Sequence, residues 1–321
     1  MGIVSVTNLK KVYGDFIAVD GISFDIEQGE VFGFLGPNGA GKTSTINMLI
    51  GLSRPSEGRI LIDGIDGIRN IKKAQSIMGI VSDESNLYDE MDGFDNLCFC
   101  ASLYGMKKEE RENRAQELLG QFSLKNAGRR LFKAYSKGMR RKLAIAAGII
   151  HNPRILFLDE PTTGIDVESA RQIRSLILDM KHRGTTVFLT THYIEDAQRI
   201  CDRIAFIVNG KIAKTGTVDE LMENAMNENI IKLTLSNSVN GIINELQSDF
   251  TNLRFEVKGE NICFIASPVK IALAPVLQYL DERGISVFEA KEIRPTLEDV
   301  FVRVTGIEAG KLHKEKEGGK K

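Results

Sequence analysis

The fold of this chain is decided by one short stretch, Gly36-Pro37-Asn38-Gly39-Ala40-Gly41-Lys42-Thr43-Ser44. It contains the pattern G-x-x-x-x-G-K-[ST], with an apolar, strand-like run before it and a helical pattern after it. Glycines without side-chain bulk let several backbone N–H groups converge on an anion, and a helix that starts there points its dipole at the same place. Lys42 supplies positive charge for phosphates, and the Thr43 hydroxyl is placed to ligate Mg²⁺. We therefore predict a phosphate-binding loop over residues 36–44.

A second feature is an apolar strand that ends in two carboxylates. The run 155–158 is typical of a strand buried on both faces, and Asp159 and Glu160 follow it directly. In a parallel α/β sheet, ligands collect outside the carboxyl ends of the strands, so both acids are expected on the side of the phosphate loop. Asp159 suits Mg²⁺, directly or through water, and Glu160 suits the positioning and polarising of an attacking water. For either acid alone, capping of the next turn is the simpler interpretation.

His192 follows another predicted buried strand, 185–191. Of the four histidines in the chain, it alone has that position. A neutral imidazole there could hydrogen-bond a γ-phosphate or the attacking water. A purely structural histidine explains the residue equally well when it is considered by itself.

Together these motifs resemble those of the ATP-binding subunit of an ABC transporter, over about residues 1–220. Residues 36–43 are similar to the Walker A motif of that family, and 155–160 to its Walker B motif with the following glutamate. Thr190-Thr191-His192 resembles the H-loop, and Thr163-Gly164-Ile165-Asp166 stands in the place of the D-loop. The resemblance implies that Glu160 and His192 are catalytic, that Asp166 belongs to the D-loop, and that the cofactors are ATP and Mg²⁺.

The resemblance also assigns Tyr13, which matches the aromatic residue that stacks on adenine in this family. The alternative is a tyrosine at the edge of a strand. The family's Q-loop glutamine is expected after the strand 78–81, where this chain has Asp83, with Glu84 as a competing candidate. An aspartate could still bind Mg²⁺ or water, so Thr43, Asp159 and Asp83 form the predicted set of metal ligands.

The stretch Ser136-Lys137-Gly138-Met139 corresponds to the family signature, usually serine-glycine-glycine-glutamine. In the family, two subunits pack head to tail and each signature completes the ATP site of the other. The residues suit that role, because Ser136 is a good helix N-cap, Gly138 permits close approach of the backbone, and the helix dipole favours a phosphate. Lys137 and Met139 depart from the pattern, and Lys137 is a candidate for an extra γ-phosphate contact. The alternative is an ordinary capped helix with solvated cations.

The predicted fold class is α/β, a P-loop NTPase of the ABC ATPase type with a mixed sheet and a helical subdomain, plus a small α+β C-terminal domain. We place the ATP-binding domain at 1–225, with the helical subdomain at about 93–150. Residues 226–310 follow a βαββαβ pattern that resembles a ferredoxin-like accessory domain. Its stretch 297–301 resembles the domain appended to drug-export (daunorubicin-resistance-like) and lipid-type ATPases. Residues 311–321 form a charged tail that we expect to be disordered.

Composition narrows the functional classes. The chain has 321 residues and a net charge of −1, so no global field favours nucleic acid or anionic lipid. Its cysteines are scattered, and no run of sequence resembles a signal peptide or a membrane span. We expect a cytoplasmic subunit, held at the inner face of the cell membrane by a transmembrane permease subunit.

The leading hypothesis is an ATPase that drives transport, with export as the expected direction. Its other expected partner is a second copy of itself or a homologous ATP-binding subunit, and no nucleic acid is expected. We expect the accessory domain to regulate or stabilise the dimer. The alternatives are an ABC-type ATPase acting on ribosomes or nucleic acid, and a regulator that binds nucleotide without hydrolysing it.

Overall fold

The computed structural model describes residues 2–83, 87–223, 229–239, 241–259, 261–293 and 296–307. The chain divides into two compact units. The first comprises the described residues of 2–218 together with 304–307, and the second comprises those of 219–303. The sequence placed the division at 225/226, several residues later. Within the described residues, no helix combines the length and the apolar character needed to cross a membrane.

In chain order, the first unit contains β1 (Val4–Tyr13), β2 (Phe16–Ile26), β3 (Val31–Leu35), α1 (Lys42–Leu49), β4 (Glu57–Ile62), β5 (Ile65–Asp66), α2 (Ile71–Gln75), β6 (Met78–Val81), α3 (Gly93–Leu103), α4 (Lys108–Gln121), α5 (Lys137–Ile149), β7 (Ile155–Asp159), α6 (Val167–His182), β8 (Thr186–Thr191), α7 (Ile194–Ile200), β9 (Arg203–Val208) and β10 (Lys211–Thr217). Its larger sheet has the order β10-β9-β3-β8-β7-β6. β10 is antiparallel to β9, and the other neighbours are parallel. The predicted mixed sheet is therefore confirmed.

The parallel strands are buried on both faces, which explains their continuous apolar sequences. Every residue of β3, β7 and β8 is buried. A smaller antiparallel sheet, β2-β1-β4-β5, lies beside the larger one. The two sheets share a cluster of phenylalanines, in which the ring of Phe24 on β2 lies 5.0 Å from that of Phe34 and 6.1 Å from that of Phe188. Apolar packing of this kind fixes the sheet whose strand ends form the site described below.

Helices α3, α4 and α5 make up the helical subdomain between β6 and β7. Asp92 caps α3 by accepting a hydrogen bond from the backbone N–H of Asp95. Leu97, Leu118 and Leu143, one from each helix, are fully buried, so each of the three helices has an apolar face turned away from solvent. α1 begins at Lys42, inside the predicted loop 36–44, because Gly41 turns the chain into the helix with φ 103°.

The second unit contains α8 (Val218–Glu223, which starts at the division), β11 (Asn229–Leu235), α9 (Ile243–Asp249), β12 (Arg254–Val257), β13 (Ile262–Ser267), α10 (Leu273–Asp281), β14 (Val287–Ile293) and most of α11 (Leu297–Thr305, which ends beyond the division). From β11 to β14 the order is the predicted βαββαβ. The sheet is antiparallel throughout, in the order β12-β13-β11-β14. The predicted small α+β domain is thus confirmed as a fold. Glu84, Pro295 and the tail 311–321 lie outside the described residues.

Candidate active site

The loop between β3 and α1 is shaped by glycines that the packing requires. Gly41 has φ 103°, and a Cβ placed there would lie 2.6 Å from the carbonyl oxygen of Ala18. A Cβ on Gly36 would collide with the carbonyl oxygen of Ile207. A side chain at either position would displace the backbone, so the glycine spacing of the motif reflects contacts as well as backbone freedom.

Lys42 places its ammonium group at the centre of this loop. The residue is only 5% exposed, and its Nζ donates to the carbonyl oxygens of Gly36 at 2.7 Å and Pro37 at 3.1 Å. The same Nζ lies 3.2 Å from Oε1 of Glu160. The phosphate loop and the acid at the end of β7 are therefore in direct contact through one buried cation.

Glu160 and His192 form the second half of the site. Nδ1 of His192 lies 2.8 Å from Oε2 of Glu160, and the Thr163 hydroxyl donates to the same oxygen at 2.8 Å. Burial raises the pKa of Glu160, but the His192 hydrogen bond and the charge of Lys42 outweigh it, so the pKa falls to about 2. Glu160 also has φ 49°, a left-handed conformation that few non-glycine residues adopt. The structure thus holds an ionised carboxylate in a fixed position.

Asp159, Thr43 and Asp83 line one cavity of about 270 Å³. The Thr190 hydroxyl donates a short hydrogen bond to Oδ1 of Asp159. Burial is the main reason that the pKa of Asp159 is raised, and the Thr190 bond opposes it. These hard oxygen donors fit Mg²⁺, which commonly takes one or two carboxylates together with substrate phosphates. In the described residues, no group of three or more His, Cys, Asp or Glu side chains could hold a metal unaided.

The adjoining cavity, of about 340 Å³, brings nine of the predicted site residues together. Its lining consists of Phe16, Ala18, Asn38, Gly39, Gly41, Lys42, Thr43, Ser44, Asp83, Asp159 and Glu160. Sequence reasoning missed Phe16, an exposed aromatic residue that pairs with Tyr13 across the β1–β2 hairpin. Tyr13 is not among the lining residues, and its hydroxyl lies 3.4 Å from that of Ser53. Stacking of Tyr13 on adenine stays a prediction.

The stretch 136–139 is not part of this cavity lining. Ser136 caps α5, and its Oγ accepts from the backbone N–H of Met139 at 3.3 Å. A Cβ on Gly138 would collide with Oγ of Ser169 on α6, so this glycine permits contact between two helices of the same chain. Lys137 is exposed, and its Nζ lies where a Cβ on Gly164 would be. The sequence predicted a capped helix start here but did not predict its contact with α6.

Asp166 has a clear local role, because its Oδ1 accepts from the backbone N–H of Ser169 at 2.8 Å and so caps α6. That bond is the main reason that the pKa of Asp166 is lowered. The sequence placed Thr163 and Thr190 in the D-loop and H-loop stretches but did not predict that their hydroxyls donate to Glu160 and Asp159. A hydroxyl residue in the D-loop stretch and another just before His192 were the available signals.

Comparison with known proteins agrees with this geometry. The family model described as "ABC transporter" matches residues 19–163. The chain is 34% identical to the daunorubicin resistance ATP-binding protein DrrA3 of Streptomyces coeruleorubidus, over 94% of this chain and 96% of that protein. It is also 34% identical to the linearmycin resistance ATP-binding protein LnrL of Bacillus subtilis, over 93% and 97%.

Solved structures show the same fold. A dimeric ATP-binding cassette in a post-hydrolysis state, bound to ADP and Pi, matches with a TM-score of 0.62 and 27% identity. The match covers 67% of this chain and 98% of that one. With the phosphate loop, the paired acids and His192 in one site, the chain belongs to the ABC transporter family as one of its ATP-hydrolysing, ATP-binding subunits.

Proposed function

We propose that this subunit drives export through a separate transmembrane permease subunit, using ATP hydrolysed at a head-to-tail dimer interface. The observation that carries the proposal is the contact of Lys42, Glu160 and His192 at the edge of the sheet, which joins phosphate binding to water activation. The names of the relatives support export, because both are resistance ATP-binding proteins. They also favour a transporter over an ATPase that acts on ribosomes or nucleic acid.

In this mechanism the loop 36–44 binds the phosphates through its backbone N–H groups and Lys42. Thr43, Asp159 and Asp83 would hold Mg²⁺, and the bound ion would supply positive charge to the phosphate oxygens. Glu160 orients the attacking water, and His192 holds Glu160 in place. A carboxylate with a pKa of about 2 is a weak proton acceptor. Because Lys42 lowers that pKa, its transfer to the phosphates would make Glu160 more basic when substrate is present.

The proposed function also requires that the subunit form a dimer, either with a second copy of itself or with a homologous subunit. Ser136, Lys137, Gly138 and Met139 lie away from the cavity of their own chain, at the N-terminal end of α5, where the helix dipole favours a phosphate. A dimeric cassette among the similar structures supports this arrangement. If Lys137 contacts the partner's γ-phosphate, Lys137→Gly should weaken the salt dependence of ATP-driven dimerisation. If wild type and Lys137→Gly show the same salt dependence of dimerisation, Lys137 does not contact the partner's phosphate and only lies near Gly164 of its own chain.

We place the permease on a groove beside the end of β6. A cavity of about 210 Å³ there is lined by Ile80, Leu87 and Tyr104, among others, and Leu103 at its rim is 70% exposed. An apolar groove with an exposed leucine suits an apolar segment of another protein. Such docking would hold the subunit at the inner face of the cell membrane. Leu103→Asp should abolish ATP-stimulated co-purification with the permease and leave basal ATP hydrolysis unchanged.

For the second unit we propose a regulatory or dimer-stabilising role. Phosphate release, dimer formation and export would be compared between the full chain and a chain that lacks residues 226–321. Unchanged dimerisation, coupling and export in the shortened chain would refute the role.

Phosphate release tests the catalytic assignment. Wild type should release phosphate, and Glu160→Gln should lose most of that rate while it still binds ATP and accumulates as a dimer. Lys42→Ala is the matched control, because it should lose ATP binding itself. Equal, near-zero rates in wild type and Glu160→Gln would favour a regulator that does not turn ATP over.

A further inference from the structure

Arg141, in the second turn of α5, is a buried cation near the site to which the mechanism gives no role. It is 6% exposed. Its Nη1 donates to the carbonyl oxygen of Ser82 at 2.7 Å, and its Nη2 donates to the carbonyl oxygen of Asp83 at 2.6 Å. The same Nη2 lies 3.1 Å from Oδ1 of Asp83. A buried guanidinium is stable only when its donors are matched in this way, so the contact fixes the segment that follows β6.

That segment leads directly to the metal side of the cavity. β6 and β7 are parallel neighbours, with Val81 opposite Leu158. Asp83 therefore emerges at the same sheet edge as Asp159, and the two line one cavity with Thr43. Whatever holds Arg141 also sets where the Asp83 carboxylate lies relative to these two groups.

Arg141 is itself carried by the helix that begins at Ser136. The N-terminal end of that helix packs on α6 through Gly138, and Ser136 caps it. Arg141 comes five positions after Ser136, which corresponds to a helical rise of about 7.5 Å. A helix this short behaves as a stiff rod, so a shift at its N-terminal end moves the guanidinium by a similar amount.

We propose that Arg141 is a positioning residue that links the two ATP sites of the dimer, by making the place of Asp83 in one site depend on contact between α5 and the nucleotide of the other site. The proposal rests on the head-to-tail dimer of the proposed function. The contact with Arg141 also suits an aspartate at position 83 better than a glutamine, because a carboxylate pairs with a guanidinium by charge as well as by hydrogen bonding.

The linkage predicts how ATP hydrolysis responds to ATP and Mg²⁺. Arg141→Gln should lower kcat about tenfold and raise the Mg²⁺ concentration for half-maximal rate, as loss of an outer partner of a metal site does. The Hill coefficient of Arg141→Gln for ATP should fall to about 1, because the two ATP sites are no longer coupled. Binding of a fluorescent ATP analogue without Mg²⁺ should be unchanged, since Arg141 does not contact the phosphate loop.

A double-mutant cycle with Asp83→Asn separates positioning from folding. If both residues act through their contact, Arg141→Gln/Asp83→Asn should be about as slow as either single variant, roughly tenfold below wild type rather than roughly a hundredfold. Arg141→Lys keeps the charge but not the fork of donors, and should recover only part of the rate. If Arg141→Gln fails to fold, the Hill coefficient and the Mg²⁺ dependence are measured in Asp83→Asn and Arg141→Lys instead. Both variants weaken the same contact, so both should lower the Hill coefficient and raise the Mg²⁺ concentration for half-maximal rate.

Arg140→Gln is the matched control. Arg140 precedes Arg141 on the same helix and donates to the carbonyl oxygens of Lys133 at 2.8 Å and Tyr135 at 3.4 Å, away from Asp83. It should keep the wild-type Hill coefficient. Additive losses in the cycle, or an unchanged Hill coefficient in Arg141→Gln, would overturn the linkage while leaving the ATPase intact. Absence of cooperative hydrolysis in wild type would instead count against the proposed dimer.

Discussion

Substituting Gly138 by alanine tests whether this glycine serves its own chain or only a partner's nucleotide. A Cβ there would meet Oγ of Ser169 and would lie 2.7 Å from the Ser169 Cβ. Rotation of the serine side chain can move the hydroxyl away, but the Cβ is fixed to the backbone of α6. Overpacking of this kind costs about 1–3 kcal/mol. The helix preference of alanine offsets up to about 1 kcal/mol, so from a mid-range overpacking cost of about 2 kcal/mol we expect a net loss of about 1–2 kcal/mol.

Thermal unfolding measures this loss. For a unit of this size, each kcal/mol lowers Tm by about 2–4 °C, so Gly138→Ala should unfold about 2–8 °C below wild type. Gly120→Ala is the control, because Gly120 is also helical and its Cβ would meet nothing within 4 Å. It should be neutral or slightly stabilising. Adding Ser169→Gly to Gly138→Ala should return part of the stability after correction for Ser169→Gly alone.

The reasoning fails if Gly138→Ala keeps the wild-type Tm. Loss of ATP-dependent dimerisation at an unchanged Tm would show that Gly138 is needed for the approach to a partner's phosphate and that the contact with α6 carries no energy. If Gly138→Ala loses both thermal stability and ATP-dependent dimerisation, the packing of α5 on α6 is needed to hold Ser136 in position for the partner's phosphate.

Three further substitutions test the site. Gly41→Ala, with φ 103° and a Cβ 2.6 Å from the Ala18 carbonyl oxygen, should abolish binding of a fluorescent ATP analogue. Gly39→Ala, at φ 78° but with open space around its Cβ, carries only the backbone strain of about 1–3 kcal/mol, so Gly41→Ala should be the less stable of the two variants. Thr190→Val removes the hydroxyl that serves Asp159 and the Glu160 N–H, so urea unfolding should show a loss of about 1–3 kcal/mol, and an unchanged midpoint would refute that role. Because the pKa of Glu160 is lowered from 4.5 to about 2, its stabilising interactions are present above about pH 4.5 and are lost as the pH falls towards 2. The stability advantage of wild type over Glu160→Gln should therefore be constant near neutral pH and shrink below about pH 4.5, and an advantage that grows in acid would contradict this sign.

Several features of the site were predictable because its chemistry requires particular residues at fixed spacing. The phosphate loop must be rich in glycine and end in Lys42 and Thr43, wherever the rest of the chain goes. Asp159, Glu160 and His192 each follow a strand with a buried, apolar sequence, and parallel strands bring their carboxyl ends to one edge. The βαββαβ order of the second unit was likewise visible in local patterns of period two and 3.6.

Other features depend on contacts between distant parts of the chain. Nothing in the sequence of β1 and β2 indicates that Phe16 lines the cavity and Tyr13 does not. The contact of Gly138 with Ser169 joins two helices separated by β7, and that of Arg141 with Asp83 joins residues 58 apart in the sequence.

The candidates for nucleotide binding and hydrolysis can therefore be predicted from local patterns, because the chemistry requires particular residues at fixed spacing. Which of these side chains contact one another depends on tertiary packing, since packing density and the matching of buried polar groups are settled when separate elements come together.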